Sequence, residues 1–110
     1  MAQVSTPGEA FAAMTGRFDA GKAAGVEGSI QFNLTGDNGG KWALQFAGNT
    51  CQVVEGGIDS PNATLTMSDE DFVGMVNGNV NAMAAFMQGR IKLEGDMGMA
   101  LKLQSLFGIV

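Results

Sequence analysis

The sequence predicts an α+β fold in which helices pack on one β-sheet. Apolar and polar residues alternate with a period of two through residues 29–35 and 42–46, which is typical of half-exposed strands. Apolar residues instead recur every three or four positions through residues 69–87, which is typical of amphipathic helices. A length of 110 residues suits one ordinary domain, so we expect a single domain over residues 1–110.

The first half of the chain predicts one helix and three strands. Thr6 is placed to cap the helix, which should end near Gly21. Turn-forming glycine and asparagine residues at 36–40 and 48–49 then separate three alternating strands, the third of which covers residues 51–54. We therefore expect a three-stranded meander.

The second half predicts two further strands and three helices. A fourth strand over residues 63–67 ends at Ser68, which with Asp71 forms a capping-box pattern for a helix. A fifth strand follows at residues 90–94, and a last helix runs through Phe107. The residues expected to face inward from the first two of these helices are Phe72, Met75 and Val76, and then Val80, Met83, Ala84 and Met87.

Composition excludes several classes of chemistry. The chain carries 11 acidic and 6 basic residues, no histidine and one cysteine, Cys51. The net charge of -5 opposes nucleic-acid binding, and the residues for a histidine-dependent triad, a cysteine–histidine dyad or a multi-cysteine metal site are missing. We therefore expect no nucleic-acid partner, no metal and no cofactor, and we interpret Cys51 as a small packed hydrophobe.

Three short motifs have simpler interpretations than a ligand site. Residues 36–41 resemble a phosphate loop but lack the hydroxyl after the lysine and lead into a strand, which favours a hairpin turn. The acidic residues 69–71 lack the spacing of a calcium loop, which favours helix capping. Glu94 and Asp96 form another close carboxylate pair, and capping of the last helix is favoured over acid–base chemistry.

Methionine is concentrated in the second half, where six of the eight methionines lie between Met67 and Met99. Because methionine is unbranched and polarizable, a methionine-rich wall can repack around guests of varied shape, although methionine also fills gaps in cores that bind nothing. The predicted last helix is apolar on most sides. Either it covers the core and also contacts a ligand, a second subunit or another domain, or it lies in a cleft between the other helices.

Three segments of the second half carry a family pattern. They are Leu65-Thr66-Met67-Ser68-Asp69, Phe86-Met87-Gln88-Gly89 with the following Ile91-Lys92-Leu93, and residues 95–103, while Gly40-Lys41-Trp42 fits the hairpin of the same pattern. On these residues the chain, from about position 8 to position 108, resembles the sterol carrier protein 2 family of lipid-binding domains. The resemblance implies a five-stranded, mixed and mostly antiparallel sheet covered on one face by helices, in the order α-β-β-β-crossover-β-α-α-β-α.

The resemblance also implies a hydrophobic tunnel between the sheet and the helices. A carrier of this kind binds a fatty acid, an acyl-CoA or a sterol-like molecule and needs no catalytic residue. The implied tunnel wall consists of Phe32, Trp42, Leu44, Phe46, Phe72, Met75, Val76, Met83, Phe86, Met87, Met99, Leu103, Leu106 and Phe107, with Gln88 near the mouth.

Two other functions remain open. One is a non-catalytic interaction module, in which the last helix forms a homodimer or docks a partner enzyme and any cavity is vestigial. The other is a lipid-modifying enzyme, which would need Cys51 or a serine to act as nucleophile without histidine. The chain ends in Phe107-Gly108-Ile109-Val110 rather than in a peroxisomal signal of the Ser-Lys-Leu kind, and no apolar run approaches a membrane span. We therefore expect a cytoplasmic protein without a membrane segment.

Overall fold

The computed structural model describes residues 3–18, 21, 27–48, 50–99 and 102. Within them the elements are α1 Pro7–Arg17, β1 Gly28–Thr35, β2 Gly40–Ala47, β3 Thr50–Glu55, β4 Ala63–Ser68, α2 Asp69–Asn77, α3 Ala82–Met87 and β5 Lys92–Gly95. Residues 97–99 and 102 are also helical, where the last helix is predicted. In this part of the chain, no helix has the length and apolar character needed to cross a membrane.

The five strands form one mixed sheet in the order β3-β2-β1-β4-β5. β1 pairs antiparallel with β2 and parallel with β4, whereas the β2–β3 and β4–β5 pairs are antiparallel. The parallel pair arises because the chain leaves β3 at the edge of the sheet and crosses through residues 56–62 to the far side of β1. The predicted fold class, with its order of elements and its mostly antiparallel sheet, is confirmed.

One face of the sheet is apolar and carries the helices. Phe32 pairs with Trp42 on β2 and with Leu65 on β4, so these side chains share a face. Rings of α1 and α2 pack against Phe32 on that face. On the opposite face, Gln31 donates a hydrogen bond to Asn33 over 3.0 Å, and both side chains are half-buried. Among the described residues, the main hydrophobic cluster therefore lies on the side of the sheet that carries the helices.

The first helix begins as predicted and ends early. The Thr6 hydroxyl accepts a hydrogen bond from the Glu9 amide, and the Glu9 carboxylate accepts one from the Thr6 amide, which completes a capping box. α1 ends at Arg17 instead of near Gly21, because Phe18 already has extended backbone, with φ −60° and ψ 125°. The Phe18 ring packs against the Phe46 ring, with 6.1 Å between their centroids, so tertiary packing ends the helix.

At the start of the second helix, one of the two hydrogen bonds of the predicted capping box forms. The Ser68 hydroxyl accepts a hydrogen bond of 3.0 Å from the Asp71 amide, as predicted. The Asp71 carboxylate does not return the bond within the helix, because it binds the Arg90 guanidinium instead. The helix ends at Gly78, which adopts the left-handed conformation with φ 83°.

The predicted inward face of the third helix is wrong. Val80 lies before the helix, whose N-cap is Asn81, so a periodicity counted from Val80 does not continue through α3. α3 has six residues, and Ala85 is the member that joins the core cluster. Met83, Ala84 and Met87 are exposed. Val80 packs beside Gly74 of α2.

The three short motifs have the structural roles that the sequence favours. The amide of Gly39 donates to the carbonyl of Gly36 over 3.1 Å, which closes the hairpin turn between β1 and β2. The acidic residues 69–71 form the first turn of α2. Of the carboxylate pair expected to cap the last helix, Asp96 does so: its carboxylate accepts a hydrogen bond of 3.1 Å from the Met99 amide in the helical turn that follows β5. Glu94 lies within β5.

Candidate functional site

The residues of the predicted tunnel wall fall into three groups. The buried group consists of Phe32, Leu44, Phe46, Phe72, Met75, Val76 and Met99, with Trp42 half-buried. The exposed group consists of Met83, Phe86, Met87 and Gln88. Three predicted wall residues lie outside the described residues: Leu103, Leu106 and Phe107.

The buried group is centred on an aromatic cluster around Phe11 of α1. The Phe11 ring lies 4.6 Å from Phe72, 4.8 Å from Trp42 and 5.4 Å from Phe32, measured between centroids. Phe32 and Phe72 are 5.4 Å apart and at most 1% exposed. These separations are those of rings in direct contact, so the cluster fills its own space. Phe11 therefore lies at the centre of this cluster. Local sequence pattern could not predict this position, because it depends on how α1 crosses the sheet.

Met99 fixes the start of the last helical segment against the sheet. Its side chain is 5% exposed, and its terminal methyl occupies the space that a Cβ on Gly28 would need. The amide of Asp96 also donates a 2.8 Å hydrogen bond to the carbonyl of Asn62, just before β4. The chain after β5 is therefore anchored at the ends of β1 and β4, on the side of the sheet that carries the core.

The exposed apolar surface is concentrated on α3. Met83, Phe86 and Met87 expose 47%, 41% and 80% of their surfaces, and Met97 exposes 53%. Among the described residues these are the large apolar side chains that remain exposed. Accessible apolar surface of this kind marks a site for a ligand, a membrane or another protein, whereas fully packed rings offer no such surface.

Polar contacts at both ends hold α3 in place. At its start the side-chain oxygen of Asn81, Oδ1, accepts a 3.0 Å hydrogen bond from the Ala84 amide. After its end, the Arg90 amide donates to the Ala85 carbonyl over 2.9 Å, and the Arg90 guanidinium binds the Asp71 carboxylate. The guanidinium also contacts the side-chain oxygen of Gln88 at 3.3 Å. The Arg90–Asp71 pair joins residues 19 positions apart, and local sequence pattern gives no signal for it.

A polar cleft of about 710 Å³ lies beside α2. It is lined by the start of α1, the hairpin turn at residues 36–38 and the outer face of α2. Asp69 is 9% exposed there, and its carboxylate accepts hydrogen bonds from the amides of Asn38 at 2.9 Å and Glu70 at 2.8 Å. Asn77 binds both the amide and the carbonyl of Val4. These contacts fasten the hairpin and the N-terminal segment to α2.

The single cysteine is unsuited to nucleophilic catalysis. Cys51 lies half-buried on β3 beside the core, and burial raises the pKa of its thiol to about 11. A thiol with a raised pKa is protonated at neutral pH, and the thiolate is the nucleophilic form. Over the described ranges, no three Asp, Glu, Cys or His side chains converge to hold a metal ion.

Comparison with known proteins identifies the family. The model of the SCP-2 sterol transfer family matches residues 9–108. Over 74% of its length the chain is 44% identical to peroxisomal multifunctional enzyme A of Dictyostelium discoideum and 33% identical to human sterol carrier protein 2, but it spans only 19% and 15% of those proteins. Palmitated SCP2L2 of Aedes aegypti has the same fold, with a TM-score of 0.70, 23% identity, and coverage of 92% of this chain and 93% of that one. The chain belongs to the SCP-2 sterol transfer family.

Proposed function

We propose that this chain is a non-catalytic, intracellular lipid carrier that binds a fatty acid, an acyl-CoA or a sterol-like molecule in a tunnel between the sheet and the helices. The observation that carries the proposal is the position of Met83, Phe86 and Met87, which stay accessible on α3 in a member of a lipid-binding family. An acyl chain that covers these side chains removes apolar surface from water on both partners. Each buried methylene contributes about 0.8 kcal/mol to binding.

The accessible side chains of α3 form one wall of the proposed tunnel, with Gln88 near its mouth. Met75 contributes from α2 and Met99 from the last helical segment. Leu103, Leu106 and Phe107, which lie outside the described residues, stay predicted members of the wall. The rings of the cluster around Phe11 pack directly on one another. In the proposal they form the fixed wall of the tunnel on the side of the sheet. The predicted wall residues of this part are Phe32, Trp42, Phe72, Leu44, Phe46 and Val76.

Specificity in such a site is broad. Methionine side chains repack at low cost, and an apolar pocket discriminates one methylene by only about 1–3 kcal/mol. Chain length should therefore affect affinity more than the head group does. The palmitate carried by the Aedes aegypti protein and the name of the human relative support acyl chains and sterols as the ligand class.

The raised pKa of Cys51 and the lack of histidine support a role without catalysis for this chain. The relatives include enzymes several times longer than this chain, and their reactions are not attributed to it. A cytoplasmic location remains part of the proposal.

Ligand binding is tested by native mass spectrometry of the purified protein, followed by displacement of a fluorescent fatty acid with palmitate, palmitoyl-CoA and cholesterol. We expect saturable displacement that Met83→Asp or Phe86→Asp weakens at least about tenfold, because a charge in an apolar site is poorly solvated. Gln52→Asp on β3 is the control, since Gln52 is exposed and outside the predicted wall. Comparable affinity for a short polar ester and for palmitate would overturn the proposal.

The lengths of the relatives favour one alternative. Because the matched region is 15–19% of those proteins, it is a small part of each. A module that docks a partner enzyme or a second copy through the last helix would fit this arrangement. Sedimentation of the wild type and of Leu103→Asp separates the two functions: a dimer lost on substitution, together with no displacement of the fluorescent fatty acid, would favour the interaction module.

A further inference from the structure

The described methionines divide into a buried set and an exposed set. The buried set packs in the core cluster, and its members are Met14, Met67, Met75 and Met99. The exposed set lies on α3 and in the helical turn after β5, and its members are Met83, Met87 and Met97. An oxidant dissolved in water therefore reaches the thioether sulfur atoms of the exposed set first, because the core side chains are closed to solvent.

The thiol of Cys51 competes poorly for a peroxide at neutral pH. It lies half-buried on β3, and burial raises its pKa to about 11, so the thiol stays protonated. The thiolate is the form that attacks a peroxide, whereas a thioether has no proton to lose and reacts as it is. Among the described residues, the exposed methionines are therefore the sulfur groups that a peroxide oxidises first.

Met83 and Met87 lie together on α3. They are four residues apart in the helix, so their side chains lie on the same face, one turn from each other. The contacts that hold α3 are made by other residues, because Asn81 caps its start and the Arg90 amide binds the Ala85 carbonyl after its end. Oxidation of both methionines would change the polarity of this face and leave those contacts in place.

We infer that Met83 and Met87 are a peroxide-sensitive modification site that lowers the affinity of the protein for its lipid. The thioether sulfur attacks one oxygen of hydrogen peroxide, so that an S–O bond forms and the O–O bond breaks. The second oxygen takes the proton of the first and leaves as water. Sulfur has then lost two electrons to the peroxide, and the product is methionine sulfoxide.

The inference rests on the proposed function, which places both side chains against the lipid. A sulfoxide is polar, and a polar group that faces an acyl chain loses its hydrogen bonds to water without gaining others. Conversely, a bound lipid that covers Met83 and Met87 keeps peroxide away from their sulfur atoms. Met97 lies outside the predicted wall, so its rate of oxidation serves as an internal reference.

The test treats the full chain with hydrogen peroxide at neutral pH, with and without saturating palmitate, and measures oxidation of each methionine by peptide mass spectrometry. We expect Met83 and Met87 to oxidise at least about tenfold faster than Met75 and Met99, and palmitate to slow the first two but not Met97. The oxidised protein should bind palmitate at least about tenfold more weakly in the displacement assay. Methionine sulfoxide reductases with a thiol reductant should restore the affinity.

Two variants assign the effect to α3. Met83→Leu/Met87→Leu keeps apolar side chains without sulfur, so peroxide should change its affinity by less than about twofold relative to its own untreated sample. Met97→Leu is the matched control and should lose affinity after peroxide as the wild type does. An equal loss in the double variant, no protection by palmitate, oxidation of Cys51 before α3, or unfolding of the oxidised protein in chemical denaturation would overturn the inference. Failure of the untreated wild type to bind palmitate would overturn the proposed function, and the inference with it.

Discussion

Helices α2 and α3 follow each other in the chain and carry similar residues, yet they are used in opposite ways. In α2, Phe72, Met75 and Val76 are 0%, 6% and 1% exposed, whereas in α3 Phe86 and Met87 are 41% and 80% exposed. α2 lies on β1 and β4 and against α1, while Ala85, a small residue, is the one described side chain of α3 that is buried in the core. Phenylalanine and methionine therefore stabilise the fold in one helix and offer accessible apolar surface in the next.

The largest test of this comparison is the loss of one ring from each helix. Phe72→Ala should destabilise the protein by about 3–5 kcal/mol, because it empties space between Phe11 and Phe32. Phe86→Ala should cost far less, since 41% of its surface is already in water. Chemical denaturation of both variants measures the difference. Equal losses would mean that α3 is part of the core, and the contrast between the helices would fail.

The second test concerns the polar groups that fix the start of each helix. Asp69→Ala should cost about 1–3 kcal/mol, because the amides of Asn38 and Glu70 lose their acceptor at a buried site. Asn81→Ala removes the cap of α3 and should increase hydrogen exchange within α3 while changing global stability less. Asp37→Ala is the control for Asp69, because Asp37 is an exposed carboxylate of the same cleft. A global loss in Asn81→Ala larger than that in Asp69→Ala would contradict the comparison.

Much of this fold follows from residue pattern. Strand alternation, glycine-rich turns and caps such as Thr6 and Ser68 act over a few residues, and these signals predicted the order and type of every described element. The pattern could not predict where α1 ends, because the packing of Phe18 on Phe46 joins distant segments. It also could not predict the face of α3, since the helix begins after Val80 and not at it.

The sequence pattern predicted the residues of the candidate site less well than it predicted the fold. Apolar residues at helical spacing identify a buried face only when the helix is covered, and nothing local distinguishes Phe72 from Phe86 in this respect. The Asp71–Arg90 pair between the helices depends on how the chain returns after α3. Which residues of the predicted wall contact a ligand stays a prediction for the displacement experiment.

The third test compares a thiol in each region. Cys51 packs on the core side of the sheet, and burial raises the pKa of its thiol to about 11, from 9.0 when unburied. At neutral pH its thiolate fraction is therefore about a hundredfold smaller, and labelling should be slow. Met87→Cys in a Cys51→Ser background should label at the rate of an exposed thiol. Fast labelling of wild-type Cys51 under native conditions would mean that the core side of the sheet is open.

The same raised pKa of Cys51 predicts a pH dependence of stability. Above about pH 9 the unfolded chain releases the thiol proton while the folded chain retains it, until the pH approaches the folded pKa of about 11. The unfolded state then binds fewer protons, so stability should fall as pH rises through this window. Thermal unfolding of the wild type and of Cys51→Ala at pH 8 and pH 10 measures the effect. An identical slope in both proteins would assign the loss to other groups.

The smallest expected effect concerns the ion pair between the two helices. The Arg90 side chain is 45% exposed and forms an ion pair with Asp71. The hydrogen bond to Asp71 and the charge of its carboxylate raise the pKa of the guanidinium. Because the pair is exposed, salt screens the attraction between the two charges. Arg90→Gln should leave global stability almost unchanged, because solvent replaces most of the lost contact. It should, however, increase hydrogen exchange at the Arg90 and Gln88 amides, which close the C-terminal end of α3. Salt near 1 M should reproduce that increase in the wild type but add little in Arg90→Gln. If α3 instead exchanged as slowly as α2 in both proteins, the two helices would belong to one cooperative unit, and the accessible surface of α3 would be a fixed feature of a single rigid fold.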